Sequence, residues 1–177
     1  RGKVEEVLDA WKYDLVTEGY LPHGKAAGIP LISKERYRCM DRYFERTGKY
    51  GKNMMRATAA CHVSVDYFDE EDFVRKYRLA WLLNPLFALL TENVSCFEDK
   101  PFNGHLLRDT IWRGVDPKRS EVCPDIFDED FGFESYARWL MEVPVIVVND
   151  GDTYRYEPEK TIGQCFETYG GDEALLK

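Results

Sequence analysis

Apolar residues at Val4, Val7, Leu8, Trp11 and Leu15 recur at the spacing of one helix face, and Glu18-Gly19 marks its end. The stretch from Tyr20 to Ser33 carries Pro22, Gly24, Gly28 and Pro30 and reads as a loop or irregular extended segment. Ser33 is placed to cap a second helix containing Tyr37, Met40 and Phe44, which Gly48 and Gly51 break. From Thr58 to Tyr67 the pattern changes period. Thr58, Ala60, His62, Ser64 and Asp66 alternate with Ala59, Cys61, Val63, Val65 and Tyr67, which predicts a strand with one polar face. Same-face neighbours on a strand lie about 6.5 to 7 Å apart, so Thr58, His62 and Ser64 could line one groove.

Asp69 is the expected N-cap of the next helix, with acidic residues in its first turn. Phe73, Tyr77, Ala80 and Trp81 supply its buried face, and Pro85 is expected to end or kink it before the apolar run Leu86 to Leu90. Leu106, Leu107, Thr110 and Ile111 predict a short helix that carries Arg108 on a different face. Asp128 or Asp130 is expected to cap a helix with Phe133, Tyr136, Ala137, Leu140 and Met141 on its apolar side, closed by Pro144. Val145 to Val148, the turn Asn149-Asp150-Gly151-Asp152, and Thr153 to Tyr156 give the clearest hairpin signal. Helices and strands do not alternate regularly, so the predicted class is α+β.

Composition narrows the function classes. With 44% hydrophobic and 32% charged residues the chain has a globular composition, and no apolar run approaches the roughly 20 residues of a membrane span. We therefore expect no membrane partner and a cytoplasmic location. A net charge of -8 argues against a nucleic-acid partner, since phosphate backbones are bound by clustered Lys and Arg. Asp69 to Asp72 reads as a helix start rather than a metal site. Cys39, Cys61, Cys96, Cys123 and Cys165 lack Cys-x-x-Cys spacing and are expected to be reduced, ordinary buried thiols. The chain opens at Arg1 inside one helical pattern and stops at Lys177 inside another, Asp172 to Lys177, so residues 1–177 are expected to be one segment of a larger catalytic domain.

A series of short motifs then specifies more than the periodicity does. Lys34-Glu35-Arg36-Tyr37, Met54-Met55, Thr58 through Val65-Asp66, Arg75-Lys76-Tyr77-Arg78 and Asn84-Pro85 occur in order. Asn103-Gly104, Leu107-Arg108, Ile111-Trp112, Asp116 with Arg119, Phe131-Gly132-Phe133-Glu134 and Val143-Pro144 follow. Together they resemble the plant-type and related bacterial glutamate-cysteine ligases over nearly the whole chain. The resemblance implies a glutamine synthetase-like carboxylate-amine ligase fold, an antiparallel sheet with helices packed behind it. It also implies the ATP- and Mg2+-dependent formation of γ-glutamylcysteine from glutamate and cysteine through a γ-glutamyl phosphate.

The resemblance assigns residues as well. His62 stands where relatives carry Gln or His facing the phosphoryl-transfer site, as a donor or metal ligand. Ser64 stands where many have Asn, and Thr58 matches a threonine of the substrate pocket. Arg108 matches an arginine suited to holding a substrate carboxylate in two parallel hydrogen bonds, and Trp112, four residues on, would wall the amino-acid pocket with Met55 nearby. Arg75, Arg78 and Glu134 are expected to be structural. The remaining magnesium ligands are expected outside residues 1–177, which leaves the segment inactive alone. The same residues would also suit a γ-glutamyl ligase for another small amine, and the Ser64 departure keeps open a noncatalytic amino-acid-binding relative or a structural fragment.

Overall fold

A computed structural model describes residues 2–149, 151 and 153–169. Within them the chain runs α1 (Gly2–Ala10), a 3-10 turn (Ala26–Gly28), α2 (Glu35–Thr47), α3 (Gly51–Ala57), α4 (Glu70–Leu90), β1 (Cys96–Phe97), β2 (Lys100–Pro101), α5 (Leu107–Arg113), α6 (Pro117–Ser120), α7 (Phe133–Met141), β3 (Val147–Asn149), β4 (Tyr154–Tyr156) and α8 (Ile162–Tyr169). Strands β1 and β2 pair antiparallel, as do β3 and β4. The mixed class is the α+β one expected, although the described sheets have only two strands each.

The first core forms where the loop after α1 folds back over α2, α3 and α5. Tyr20, Tyr43, Phe44, Ala57, Leu107, Ile111 and Val115 are buried together there, with Met54 and Met55 packed half-buried against them. Tyr20 shows why this loop is held. Its hydroxyl donates to Glu98 Oε1 at 2.8 Å, and the same oxygen accepts from Asn53 Nδ2 at 2.6 Å and the Ala26 amide at 3.1 Å. Burial pushes the Tyr20 phenol up to about 12, which keeps it a donor.

A second core gathers Cys123, Ile126 and Phe131 beneath α4 and α7. Phe73 stacks on Tyr77 with ring centroids 5.5 Å apart, and Tyr77 stacks on Phe131 at 5.9 Å. Arg78 closes this core by donating to the carbonyls of Ile126 (2.6 Å) and Asp128 (2.5 Å), a structural role like that of the Arg75–Asp72 and Arg138–Glu134 pairs.

Several elements differ from their sequence-based expectation. The segment 59–67 forms no strand: Thr58 makes one antiparallel bridge to Tyr20, Ala59 N donates to Gly19 O at 3.1 Å, and the pairing stops there. A period-two pattern needs a second strand to become a ladder, and none lies beside it among the described residues. Helix α1 ends at Ala10, before Trp11 and Leu15, and its Val4 and Val7 are exposed. Helix α4 passes through Pro85 to Leu90, with the proline on an exposed face. Lys34 rather than Ser33 precedes α2, and α3 occupies a stretch where only a break was expected. Neither Asp128 nor Asp130 caps α7. Glu70 does so from a distance, accepting from the Phe133 amide at 2.6 Å, while the Gly132 amide donates to Ser135 Oγ at 2.8 Å.

Asp69 caps α4 as expected, accepting from the Asp72 amide at 2.9 Å. The predicted hairpin is present as β3 and β4, with Asp150 and Asp152 of its turn outside the described residues, as is the helical pattern at 172–177. All five cysteines are free, but only Cys39, Cys123 and Cys165 are buried, and Cys61 is exposed.

Candidate functional site

Helix α5 carries the two aromatic and cationic residues singled out in the sequence. Leu107 and Ile111 bury one face, which turns Arg108 and Trp112, four residues apart, toward a common side. That side opens on a cavity of about 350 Å³ lined by Arg108, Trp112, Trp81, Asn84, Phe44 and Val115, with Asp109, Arg113, Asp116 and Arg119 supplying most of its charge. It has the size and mixed lining of a small-molecule site.

Most of those charges are already committed. Arg113 Nε pairs with Asp109 Oδ2 at 2.7 Å across one turn of α5. The buried Asp116 carboxylate accepts from Arg119 Nε at 2.9 Å, and Arg119 also donates to the Pro144 carbonyl and lies 5.3 Å over the Tyr43 ring. Arg108 is different. Its guanidinium is half-buried, donates to the carbonyl of Ala59, and makes no ion pair among the described residues. Burial draws its pKa below the ordinary arginine value, a direction that still leaves it cationic. A half-desolvated guanidinium with unused donors is chemically suited to pairing with a carboxylate.

The hydrogen bond to Ala59 brings Arg108 against the start of the segment holding Thr58, His62 and Ser64. Thr58 sits at the end of α3 with its hydroxyl turned back on the helix, donating to Met54 O at 2.8 Å. His62 and Ser64 are exposed. Met55 lies half-buried on α3 against the first core. Thus Arg108 and Trp112 share one cavity, and Thr58, Met55, His62 and Ser64 do not line it.

The expectation that Thr58, His62 and Ser64 share a strand face is corrected, because no ladder forms beyond Ala59. Among the described residues no three His, Cys, Asp or Glu side chains converge as a metal site, so the donor set around His62 does not by itself fit a magnesium ion. Sequence reasoning missed Asp116 and Arg119 as cavity residues; the Asp-Pro-x-Arg spacing, which sets an acid before a proline-started turn and a cation three residues on, could have pointed to their pairing. It also missed Glu92, which no motif marks.

The family described as Glutamate-cysteine ligase family 2 (GCS2) matches residues 1–168. Among curated relatives, glutamate-cysteine ligase B of Oryza sativa subsp. japonica, named as chloroplastic, is 36% identical over 137 residues, which is 77% of this chain and 27% of that protein. The chloroplastic glutamate-cysteine ligase of Arabidopsis thaliana is 36% identical over 144 residues, 81% of this chain and 27% of its own length. That of Nicotiana tabacum is 33% identical over 147 residues, 82% and 28% respectively. The chain therefore spans a little over a quarter of the length of the curated relatives it matches. Their names overturn the cytoplasmic location expected from composition, since composition carries no address and these relatives are chloroplastic. No helix among the described residues is long and apolar enough to cross a membrane.

Proposed function

The chain belongs to glutamate-cysteine ligase family 2, and from that membership we propose that it is one segment of the catalytic domain of a ligase joining the γ-carboxyl of glutamate to the amine of cysteine. In this reading the larger domain has the glutamine synthetase-like fold, and residues 1–177 supply part of its amino-acid pocket. Arg108 holds a carboxylate of glutamate, Trp112 walls the pocket, and Met55 and Thr58 shape the floor behind them. His62 and Ser64 complete the polar side when the 59–67 segment is paired as a strand in the larger domain.

The chemistry sets what such a pocket must do. A carboxylate resists attack by an amine because oxide is a poor leaving group. ATP, the third small-molecule substrate, gives its γ-phosphoryl group to the γ-carboxylate, and the cysteine amine then forms the C–N bond as the C–O bond to phosphate breaks and a proton leaves nitrogen. Catalysis of such transfers is mostly positioning and charge stabilisation. Magnesium would offset charge on the transferring group; the donor set among the described residues does not fit that ion. What this chain's residues do is orient glutamate.

The observation that supports this reading best is the Arg108 guanidinium, free of ion pairs among the described residues, beside Trp112 in the α5 cavity and bonded to the start of the 59–67 segment. The test is Arg108→Ala in the ligase that contains this chain. Loss of a charge-assisted carboxylate contact predicts a rise in the glutamate KM of about tenfold to hundredfold, with the ATP KM changed much less. An unchanged glutamate KM removes Arg108 from the pocket.

A further inference from the structure

Glu92 lies two residues past the end of α4, on no strand and in no motif, yet only 13% of its side chain is exposed. One carboxylate oxygen, Oε1, accepts from the amide of Leu107, the first residue of α5, at 3.0 Å. Its other oxygen, Oε2, is buried without a hydrogen-bond partner, and His105 Nδ1 stands 3.4 Å away. Burial alone would raise this carboxyl, but the Leu106 and Leu107 amides and the nearby His105 ring outweigh it and hold it below the usual range, so it stays an anion.

A buried carboxylate with one oxygen lacking a hydrogen bond is a poor choice for stability alone. The backbone it grips is also unusual. Leu106, the residue before α5, has φ 59° and ψ 39°, a left-handed conformation that branched residues avoid unless their surroundings impose it. Leu107 is buried at the floor of the first core, so the helix start is pinned from both sides, and the next residue is Arg108.

We infer that Glu92 is a positioning residue: anchored just beyond α4, its carboxylate fixes the first turn of α5 and so the direction in which Arg108 enters the cavity. The inference rests on the reading of Arg108 as the glutamate-carboxylate contact. Glu92 touches no substrate in this arrangement and acts only through Arg108. Nothing about ATP should depend on it.

The experiment is a set of variants in the ligase that contains this chain: Glu92→Ala, Glu92→Asp, Glu92→Gln, Arg108→Ala and the double variant Glu92→Ala/Arg108→Ala, each with KM for glutamate and for ATP. Glu92→Ala is expected to raise the glutamate KM about tenfold, as misplacing a substrate-holding group does, and to leave the ATP KM within about twofold. Glu92→Gln keeps an acceptor for the Leu107 amide and should restore the glutamate KM. The double variant should bind glutamate no worse than Arg108→Ala, because the two residues act in series. If Glu92→Ala fails to fold, Glu92→Asp, with its carboxylate one methylene short of Leu107, must show the same glutamate-selective rise. Additive effects, an equal rise in both KM values, or no effect of Glu92→Ala beside a strong effect of Arg108→Ala would overturn the inference and leave the Arg108 reading intact. An inert Arg108→Ala would remove both, a pattern distinct from the others.

Discussion

Gly48→Ala should be among the most damaging single-methyl additions in this chain. Gly48 ends α2 with an extended backbone (φ -164°, ψ -171°), so the conformation itself suits alanine. Space is the obstacle. A Cβ there would lie 2.2 Å from Gly114 O and 2.4 Å from Val115 O, both main-chain atoms at the end of α5. Those carbonyls are also pinned, since Lys49 N donates to Gly114 O at 2.9 Å and Thr47 Oγ1 to Val115 O at 3.0 Å. Relief requires α2 and the α5 terminus to separate by most of an ångström. Overpacking of this kind costs about 1 to 3 kcal/mol, and weakening two hydrogen bonds adds about 1 kcal/mol each. The expected loss is about 3 to 5 kcal/mol, or roughly 6 to 20 °C in Tm for a chain of this size. Gly28→Ala is the control, because a Cβ at Gly28 meets nothing within 4 Å and its effect should stay within about 0.5 kcal/mol. Urea unfolding of the two variants beside the parent measures both, and a Gly48→Ala loss no larger than the control would refute the packing argument.

Two further outcomes can be read without an activity assay. The Asp72 carboxyl is held down to about 2, first by Lys76 and then by Arg75, each 2.7 Å away. A depressed carboxyl contributes stability that is complete above its unfolded value near about 4 and is lost as pH falls through about 2; Asp72→Asn should therefore flatten the acid limb of the unfolding curve, and an unaltered limb would contradict the assignment. Cys61 is exposed, whereas burial pushes the Cys39, Cys123 and Cys165 thiols up and encloses them. The fastest labelling with an aromatic disulfide reagent is expected at Cys61, ahead of the half-buried Cys96, and Cys61→Ser should abolish that fast phase.

Local signals were legible wherever the cause was local. The Asp69 cap, the α5 face of Leu107 and Ile111, the aromatic face of α4 and the β3–β4 hairpin all depend on residues within a turn or two of one another. The losses came where a distant group made the decision. Glu70 caps α7 from 63 residues away and Glu92 caps α5 from the end of α4, and neither leaves a spacing to read. Gly132 illustrates the same point, since a Cβ there would lie 2.2 Å from Glu70 Oε1, a constraint visible only after folding. Of the candidate site, Arg108 and Trp112 were legible as an i, i+4 pair, and the cavity brings them together. The Asp116–Arg119 pair beside them was visible as a motif but not as a wall.

The 59–67 segment is the most informative departure. Its alternation is strict, yet Val63 and Val65 are 81% and 68% exposed and the polar face is equally open. An apolar-in, polar-out pattern is a statement about two environments, and here neither is present. Pairing does begin, with the Leu21 amide on Ala57 O at 2.8 Å, the Tyr20–Thr58 bridge and the Ala59 amide on Gly19 O, and it stops where Arg108 takes the Ala59 carbonyl. The physical content of the alternation is then a demand for a neighbouring strand along its edge and an apolar layer over the Val63 and Val65 face.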